Sequence, residues 1–156
     1  MRLVSHIAIG VRDLERSLKF YRDQLGLTVI RDAVNAPPPS ALYDEDIVST
    51  RRREVFLRLG GNADVNNVFL VLSQSDELAS NSPLNLGHIG IHHVGFWVQD
   101  IPALAERLRS AGVEVVSVAD TTGVGYGESA EQKMRAMFVK DPDGTILQFD
   151  ERVADG

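Results

Sequence analysis

The stretches HIAIGVRD (His6–Asp13) and HVGFWVQD (His93–Asp100) decide the fold, because the second repeats the first. Each opens with a histidine, continues with a short apolar run typical of a β-strand, and ends with an aspartate placed to cap a helix. The repeat predicts that the chain contains two modules of the same architecture.

A helix follows each aspartate. Apolar residues recur there at helical spacing, at Leu14, Leu18, Tyr21 and Leu25 and again at Ile101, Leu104 and Leu108. Pro102 falls in a first turn, where its missing N–H has no helical partner. Gly26 and Gly112 stand where a left-handed residue would end each helix, and new strands are predicted at 27–30 and 113–116.

Each module closes with two strands around a turn. The pairs are 54–59 with 68–72, around Gly60-Gly61-Asn62, and 135–139 with 145–149, around Asp141-Pro142-Asp143-Gly144. We therefore predict an α+β fold of two tandem βαβββ modules. Their curved mixed sheets would surround a concave trough, which is where ligands tend to bind.

The module limits come from shifts in composition. Module one is predicted at 1–75, a linker rich in Ser, Asn, Pro and Gly at 76–90, and module two at 91–152. An irregular loop at 31–53, which contains Pro37-Pro38-Pro39, interrupts module one. A loop of that length is usually functional or mobile.

Composition excludes several classes of protein. The 156 residues include no cysteine, and no apolar run is long enough to span a membrane. The net charge of −6 argues against nucleic acid as a partner, and we expect no membrane partner either. The N-terminus has no apolar signal core. These features predict a cytoplasmic protein.

One basic cluster, Arg51-Arg52-Arg53, stands out in this acidic chain. Such a run is more often part of a solvated loop. The functional interpretation is a clamp for an anionic ligand such as a carboxylate or a phosphate.

His6 and His93 are the strongest candidates for chemistry, because they occupy equivalent places in the two modules. A single histidine in an apolar strand is more often structural, but a matched pair favours a metal site. Imidazole suits a divalent ion such as Fe, Zn, Ni, Co or Mn. Strand alternation predicts the opposite face for the neighbouring His92, and His88 lies in the linker.

A site with two histidines needs further ligands, usually carboxylates. The last strand of module two offers the neutral carbonyl oxygen of Gln148, and Asp150 follows on the same face. The matching strand of module one, 68–72, contains only apolar residues. The candidate metal ligands His6, His93 and Gln148 therefore carry no negative charge, which predicts weak binding of a cation.

These patterns resemble the vicinal oxygen chelate superfamily of glyoxalases, bleomycin resistance proteins and extradiol dioxygenases. The resemblance lies in Ser5–Leu27, with its Phe-Tyr and Leu-Gly pairs, in the repeated start Ile91–Ile101, and in the closing hairpin Val139–Gly144. It covers both modules and leaves out mainly the 31–53 loop and the linker. It implies the two-module fold, a divalent metal, a small substrate with vicinal oxygens and a homodimer.

Members of that superfamily take metal ligands from the first and last strands of each module. The resemblance therefore assigns His6 and His93, and it assigns Gln148 where the family most often has glutamate. The fourth position falls near Leu70 or Val71, which cannot ligate.

The side chains that are missing at these ligand positions are also ones that the family's reactions need. Glyoxalase-like lyases and acyl-CoA epimerases need a base, commonly Glu, which both ligand strands lack. Extradiol dioxygenases have Glu where Gln148 stands, Tyr near Phe138 and His around 66–67, and this chain has none of these.

A replacement base has to come from elsewhere. Tyr126 and Glu128, in the Gly-rich stretch 121–128, are the candidate catalytic residues, and Asp150 is a further candidate. A lid with ordinary surface side chains is an equally reasonable interpretation of that stretch.

The aromatic residues suggest an apolar site. Phe56, Phe69 and Trp97, with Arg51, are candidates to bind substrate, and Phe96 and Tyr43 could also line such a site, although core packing is the commoner role.

Two functions remain open. The first is a metal-dependent enzyme of the glyoxalase or dioxygenase type, with lyase, isomerase or oxygenase chemistry. The second is a binder without catalysis that sequesters a small molecule, as bleomycin resistance proteins do. The matched histidines favour the enzyme, and the missing glutamates favour the binder.

Overall fold

The structure is a computed structural model that describes residues 4–36, 50–58, 68–77, 82–87, 89–124 and 130–153. It confirms the predicted α+β class, because each half of the chain forms one four-stranded mixed sheet with a helix. The two compact units are Met1–Asn81 and Ser82–Gly156. The module limits given above and the trough stay predictions.

The described residues of module one form four strands and one helical segment. They are β1 (His6–Gly10), α1 (Leu14–Leu18), which continues as a π-helical stretch (Lys19–Gln24), β2 (Thr28–Asn35), β3 (Arg52–Arg58) and β4 (Phe69–Ser75). The strand order is β1-β4-β3-β2, with β1 parallel to β4 and the other pairs antiparallel.

Module two repeats this topology. Its elements are β5 (His93–Trp97), α2 (Ile101–Ser110), β6 (Val115–Gly123), β7 (Gln132–Lys140) and β8 (Ile146–Arg152). The order is β5-β8-β7-β6, and β5 again runs parallel to the last strand. The first strand of each module, which carries the candidate histidine, therefore lies beside the last.

Both helices start in the same way. The side chains of Asp13 and Asp100 accept hydrogen bonds from the N–H three residues on, at 3.0 Å and 2.8 Å. The first helical N–H donates to Gln74 in module one and to Glu151 in module two, at 2.7 Å and 2.9 Å. The predicted caps are confirmed. The bonds to Gln74 and Glu151 tie each helix to the last strand of its own sheet.

One face of each sheet forms the core with the helix. Its buried apolar residues are Val55, Leu57, Leu70 and Leu72 with Leu14, Leu18 and Tyr21 in module one, and Met137, Val139, Leu147 and Phe149 with Ile101, Leu104 and Leu108 in module two. Each such side chain contributes roughly 1.5–3 kcal/mol on burial. The opposite face of each sheet does not pack against the helix and is therefore available for a functional site.

Several strands are longer than predicted, and two of them, β2 and β6, run well into predicted loops. β2 continues to Asn35, so part of the predicted 31–53 loop is strand, and β6 continues to Gly123, into the predicted Gly-rich loop. The apolar pattern ends early in both, but backbone pairing continues past a β-bulge at 29–31 and at 115–117. Polar cross-strand partners support these extensions.

No described helix is long and apolar enough to cross a membrane.

Candidate metal and ligand site

The open face of each sheet is the one opposite its helix. In module one it presents His6 and Ala8 of β1, Phe69 and Val71 of β4, Arg52, Glu54, Phe56 and Arg58 of β3, and Arg31, Ala33 and Asn35 of β2. In module two it presents His93, Gly95 and Trp97 of β5, Ile146, Gln148 and Asp150 of β8, and Ala136, Phe138 and Lys140 of β7. All three candidate metal ligands lie on these open faces.

His6 lies in an aromatic setting. It pairs in register with Phe69, and the two rings stack with their centroids 5.2 Å apart. Phe69 in turn contacts Phe56, with ring centroids at 5.6 Å. Both phenylalanines are half-buried on the open face and so lie outside the helix-packed core, and their role in substrate binding stays a prediction.

His93 and Gln148 lie on adjacent strands in module two. Gln148 pairs in register with Gly95, two residues after His93. The Gln148 Nε2 donates to Asp150 Oδ1 at 2.8 Å, and Asp150 is only 5% exposed. This contact confirms that Asp150 shares the face of Gln148, as strand alternation predicts, and it orients the amide.

The register shows which residue of module one corresponds to Gln148. Val71 pairs with Ala8, two residues after His6, just as Gln148 pairs with Gly95. Leu70 faces the core and is fully buried. The fourth ligand position of the predicted pattern is therefore occupied by Val71, which has no donor atom.

The residue just before each histidine provides a hydrogen-bond partner for the Nδ1 atom of that histidine. Ser5 Oγ lies 3.0 Å from His6 Nδ1, and His92 Nδ1 lies 2.7 Å from His93 Nδ1. Two Nδ1 atoms at that distance need one proton between them. When His93 Nδ1 donates, its Nε2 keeps the lone pair that a metal requires, and the same holds for His6.

The prediction that His92 faces the opposite side is wrong. The His92 and His93 rings lie with their centroids 4.7 Å apart. The strand β5 begins at His93, so the alternation of side chains does not extend back to His92. Ser5 and His92 are the site residues that sequence reasoning missed, although their matching places before the two histidines were a usable signal.

The basic cluster is ion-paired throughout. Arg51 Nη1 lies 3.0 Å from Asp76, and Arg52 Nε lies 2.8 Å from Glu54. Arg53 bridges Asp32 and Glu15 at 2.6 Å and 2.7 Å, respectively. Hydrogen bonds from Arg53 lower the pKa of the Asp32 carboxyl, and hydrogen bonds to Asp32 and Glu15 raise the pKa of the Arg53 guanidinium. Arg51 as a substrate-binding residue stays a prediction.

The remaining predicted residues fall in different places. Trp97 is 52% exposed, and the Arg152 guanidinium lies 4.3 Å from its ring centroid. Tyr126, Glu128 and Tyr43 lie outside the described residues. Their roles stay predictions.

The donor atoms suit a divalent ion in kind. Within the described ranges, no three His, Asp or Glu side chains are grouped so that they could hold a metal. The predicted set contains only two such residues, however, and takes its third donor from an amide. Imidazole nitrogen and amide carbonyl oxygen are both donor types that such an ion accepts.

Comparisons with known proteins agree with the two-module fold. The model of the family "Glyoxalase/Bleomycin resistance protein/Dioxygenase superfamily" matches residues 3–149. The chain is 29% identical to a lactoylglutathione lyase of Haemophilus influenzae over 95% of this chain and 91% of that protein. It is 25% identical to the trypanothione-dependent glyoxalase I of Leishmania major, with a TM-score of 0.64 over 97% and 87% of the two chains.

A further solved structure shares the fold. The fosfomycin resistance protein of Listeria monocytogenes, solved with Mn(II) and sulfate, has a TM-score of 0.60 at 15% identity over 98% of this chain and 94% of its own. The family match spans nearly the whole chain and therefore includes both repeated modules. The chain belongs to the glyoxalase/bleomycin resistance protein/dioxygenase superfamily.

Proposed function

We propose that the chain is a metal-dependent enzyme of the glyoxalase type, a lyase or isomerase acting on a small organic substrate with vicinal oxygens. The observation that carries the proposal is the equivalence of His6 and His93 in register, each on an open face with its Nδ1 held by the preceding residue. The similarity to lactoylglutathione lyase supports the lyase class.

The proposed ligands are His6, His93 and Gln148, for an ion chosen from Fe, Zn, Ni, Co and Mn. Such an ion would act as a Lewis acid on the vicinal oxygens of the substrate. Ser5 and His92 would fix the tautomers of the two histidines, as outer partners of metal ligands commonly do. The proposal holds whether one chain or two copies supply the ligands.

Asp150 is the base that we favour for moving a proton next to a carbonyl. It is the carboxylate in hydrogen-bond contact with Gln148, on the same open face and almost fully buried. A carboxylate placed beside the reacting centre suits this task. Tyr126 and Glu128 are the other candidates.

The first test of the proposal is turnover. We expect the purified protein, reconstituted with each of the five ions, to act on lactoylglutathione, the compound in the name of its Haemophilus influenzae relative. His6→Ala and His93→Ala should each abolish both metal and turnover. The control Arg109→Ala, at an exposed site on α2, should change neither. Activity that survives both histidine changes would contradict the proposal.

The alternative is a small-molecule binder without catalysis, resembling bleomycin resistance proteins. The observation in its favour is Val71, an apolar side chain at the position that corresponds to Gln148. Ligand binding that is tight and unaffected by a chelator would support this alternative, and binding that a chelator abolishes would support the enzyme.

We also propose that the protein is a homodimer. Strands β2 and β6 are sheet edges, and they expose the apolar residues Val29, Ile30, Val34, Val116 and Val118. Exposed edges of this kind tend to be covered by a partner. Sedimentation should give twice the chain mass of 17.1 kDa, and a monomer at micromolar concentration would contradict the proposal.

A further inference from the structure

We propose that the open face of module one binds the oxyanion of a small organic acid between Arg31 and Arg58, with the apolar body of that acid against Phe56 and Phe69. This inference rests on the proposed function, because it names the substrate class for the same face as His6. The oxyanion is a carboxylate or a phosphate, both of which a guanidinium recognises by paired N–H groups.

The four side chains are neighbours on one face. Arg31 in β2 pairs in register with Phe56 in β3, and its guanidinium carbon lies 5.0 Å from the ring centroid. Arg58 is two residues further along β3 and pairs with Phe69. Diagonal neighbours across strands lie roughly 7–8 Å apart, within reach of long side chains. The two guanidinium groups can therefore approach the same small anion.

Neither arginine has a carboxylate partner among the described residues. This separates Arg31 and Arg58 from Arg22, Arg51, Arg52, Arg53 and Arg135, each of which forms an ion pair. Among the residues of this open face that the structure describes, the one carboxylate, Glu54, is hydrogen-bonded to Arg52 and Asn35. Three arginines and one glutamate thus make this face positive in a chain whose net charge is −6.

Module two provides an internal comparison. The residue that corresponds to Arg31 is Ser117, which pairs with Phe138 after the same bulge. The residue that corresponds to Arg58 is Lys140, and its Nζ lies 3.5 Å from Glu114. The repeated architecture therefore does not require, at these positions, two guanidinium groups without an ion pair to a described residue. They are particular to module one.

The position next to His6 links this site to the proposed chemistry. Phe69 stacks on His6 and contacts Phe56, so the aromatic surface runs from the arginines to the candidate metal ligand. An acid whose oxyanion lies at Arg31 and Arg58 would extend its other end along this surface toward His6. The substrate class that follows is an anionic compound with an apolar body.

Titration calorimetry with three probes tests the inference. Benzoate and phenyl phosphate carry the two kinds of oxyanion on one ring, and benzamide is the uncharged analogue of benzoate. The test variant is the double change Arg31→Gln/Arg58→Gln. The control is Arg107→Gln/Arg109→Gln, which removes the same charge from exposed positions on α2.

We expect at least one anionic probe to bind the native protein at least tenfold more tightly than benzamide does. The test variant should lose tenfold or more of that affinity, the control should stay within twofold, and added salt should weaken binding. Whether benzoate or phenyl phosphate binds more tightly identifies the oxyanion. No binding by either anion, equal binding of benzamide, or an unchanged affinity in the test variant would overturn the inference.

The outcome is separable from that of the metal proposal. The Arg31→Gln/Arg58→Gln variant should keep its metal content, and His6→Ala should keep the affinity for the anionic probe. A native protein that binds the anionic probe but holds no metal would count against the proposed function alone. A native protein that holds metal but does not bind the anionic probe would count against this inference alone.

Discussion

Gln148 is the residue at which the proposed donor set departs most from a strong metal site, because its amide oxygen is neutral. Replacing it with glutamate would add a charge next to Asp150, whose Oδ1 now accepts from Gln148 at 2.8 Å. Without metal the two carboxylates should repel, and with metal both should be neutralised. Gln148→Glu should therefore lower the Tm of the metal-free protein and enlarge its rise with added Zn or Mn.

The control for this change is Gln99→Glu, which adds the same charge at an exposed position outside the strands. It should leave the metal-induced rise in Tm at its native value. A Gln148→Glu variant whose Tm does not respond to metal would show that position 148 does not ligate.

Asp150 carries a second prediction at the residue scale. Asp150→Asn keeps the oxygen that accepts from Gln148 but removes the basic carboxylate, so turnover should fall by about 10²–10⁴. Metal content should be unchanged. The control, Asp23→Asn, alters an exposed carboxylate whose partner is Arg22, and turnover should not respond. Retention of activity in Asp150→Asn would assign the base elsewhere.

Individual residues were predictable where the repeat marked them. His6 and His93 follow from the sequence because they recur at matching places. The Nδ1 partners Ser5 and His92 did not follow, since they depend on ring orientation just before a strand. Arg31 was missed for a different reason: the apolar pattern of β2 ends at Ile30, before the bulge.

Strands β2 and β3 are held to α1 by Arg53, and this link makes stability depend on pH. The hydrogen bond from Arg53 lowers the pKa of Asp32, so the carboxylate stabilises the fold above its unfolded pKa of about 3.8. That stabilisation is lost as the pH falls through the lower, folded pKa. Asp32→Asn should therefore cost at most about 1 kcal/mol at pH 7, because the pair is exposed.

Urea denaturation of native protein and variant between pH 7 and pH 3 measures this dependence. The difference in free energy of unfolding should shrink below pH 4 and vanish once Asp32 is protonated in both states. Glu106→Gln, an exposed change on α2, should show no such difference. A deficit that stays constant across this range would mean that the charge of Asp32 is not its cause.

The two helix caps should be energetically equivalent, since Asp13 and Asp100 make the same hydrogen bond at 3.0 Å and 2.8 Å. Asp13→Ala and Asp100→Ala should each lower the free energy of unfolding by about 1 kcal/mol, as loss of an N-cap usually does. Arg109→Ala serves as the helix-surface control. An unchanged stability in either variant would contradict the equivalence of the modules at this level.

Elements were predictable where hydrophobic periodicity was strong. The positions of β1, β5 and α2 and the turns at Gly26 and Gly112, both with φ of 78°, agree with the sequence analysis. The extensions of β2 and β6 did not follow from periodicity, because polar residues on both faces of an edge strand give no apolar signal. Ion pairs such as Asp120 with Arg135 hold those extensions instead.

At the scale of the whole molecule, one architecture built twice gives two histidines in the same register but two different surroundings. Module two adds Gln148 and Asp150, whereas module one adds Val71, Phe69 and two arginines that have no carboxylate partner in the described part of the chain. We propose that the duplicated fold divides tasks: each module would supply one histidine, module two would add the Gln148 oxygen, and module one would add an anion-binding and apolar subsite. The family followed from the sequence, but the substrate did not, because it depends on side chains that the repeat does not share.

The most direct test of the central claim is elemental analysis of the untagged protein beside its His6→Ala/His93→Ala variant. We predict a single equivalent of Fe, Zn, Ni, Co or Mn in the native protein and none in the variant. Iron would direct the search toward oxygen chemistry, and the other ions toward a lyase or isomerase. No metal in the native protein, even after reconstitution with all five ions, would contradict the account and leave the binder as the function to pursue.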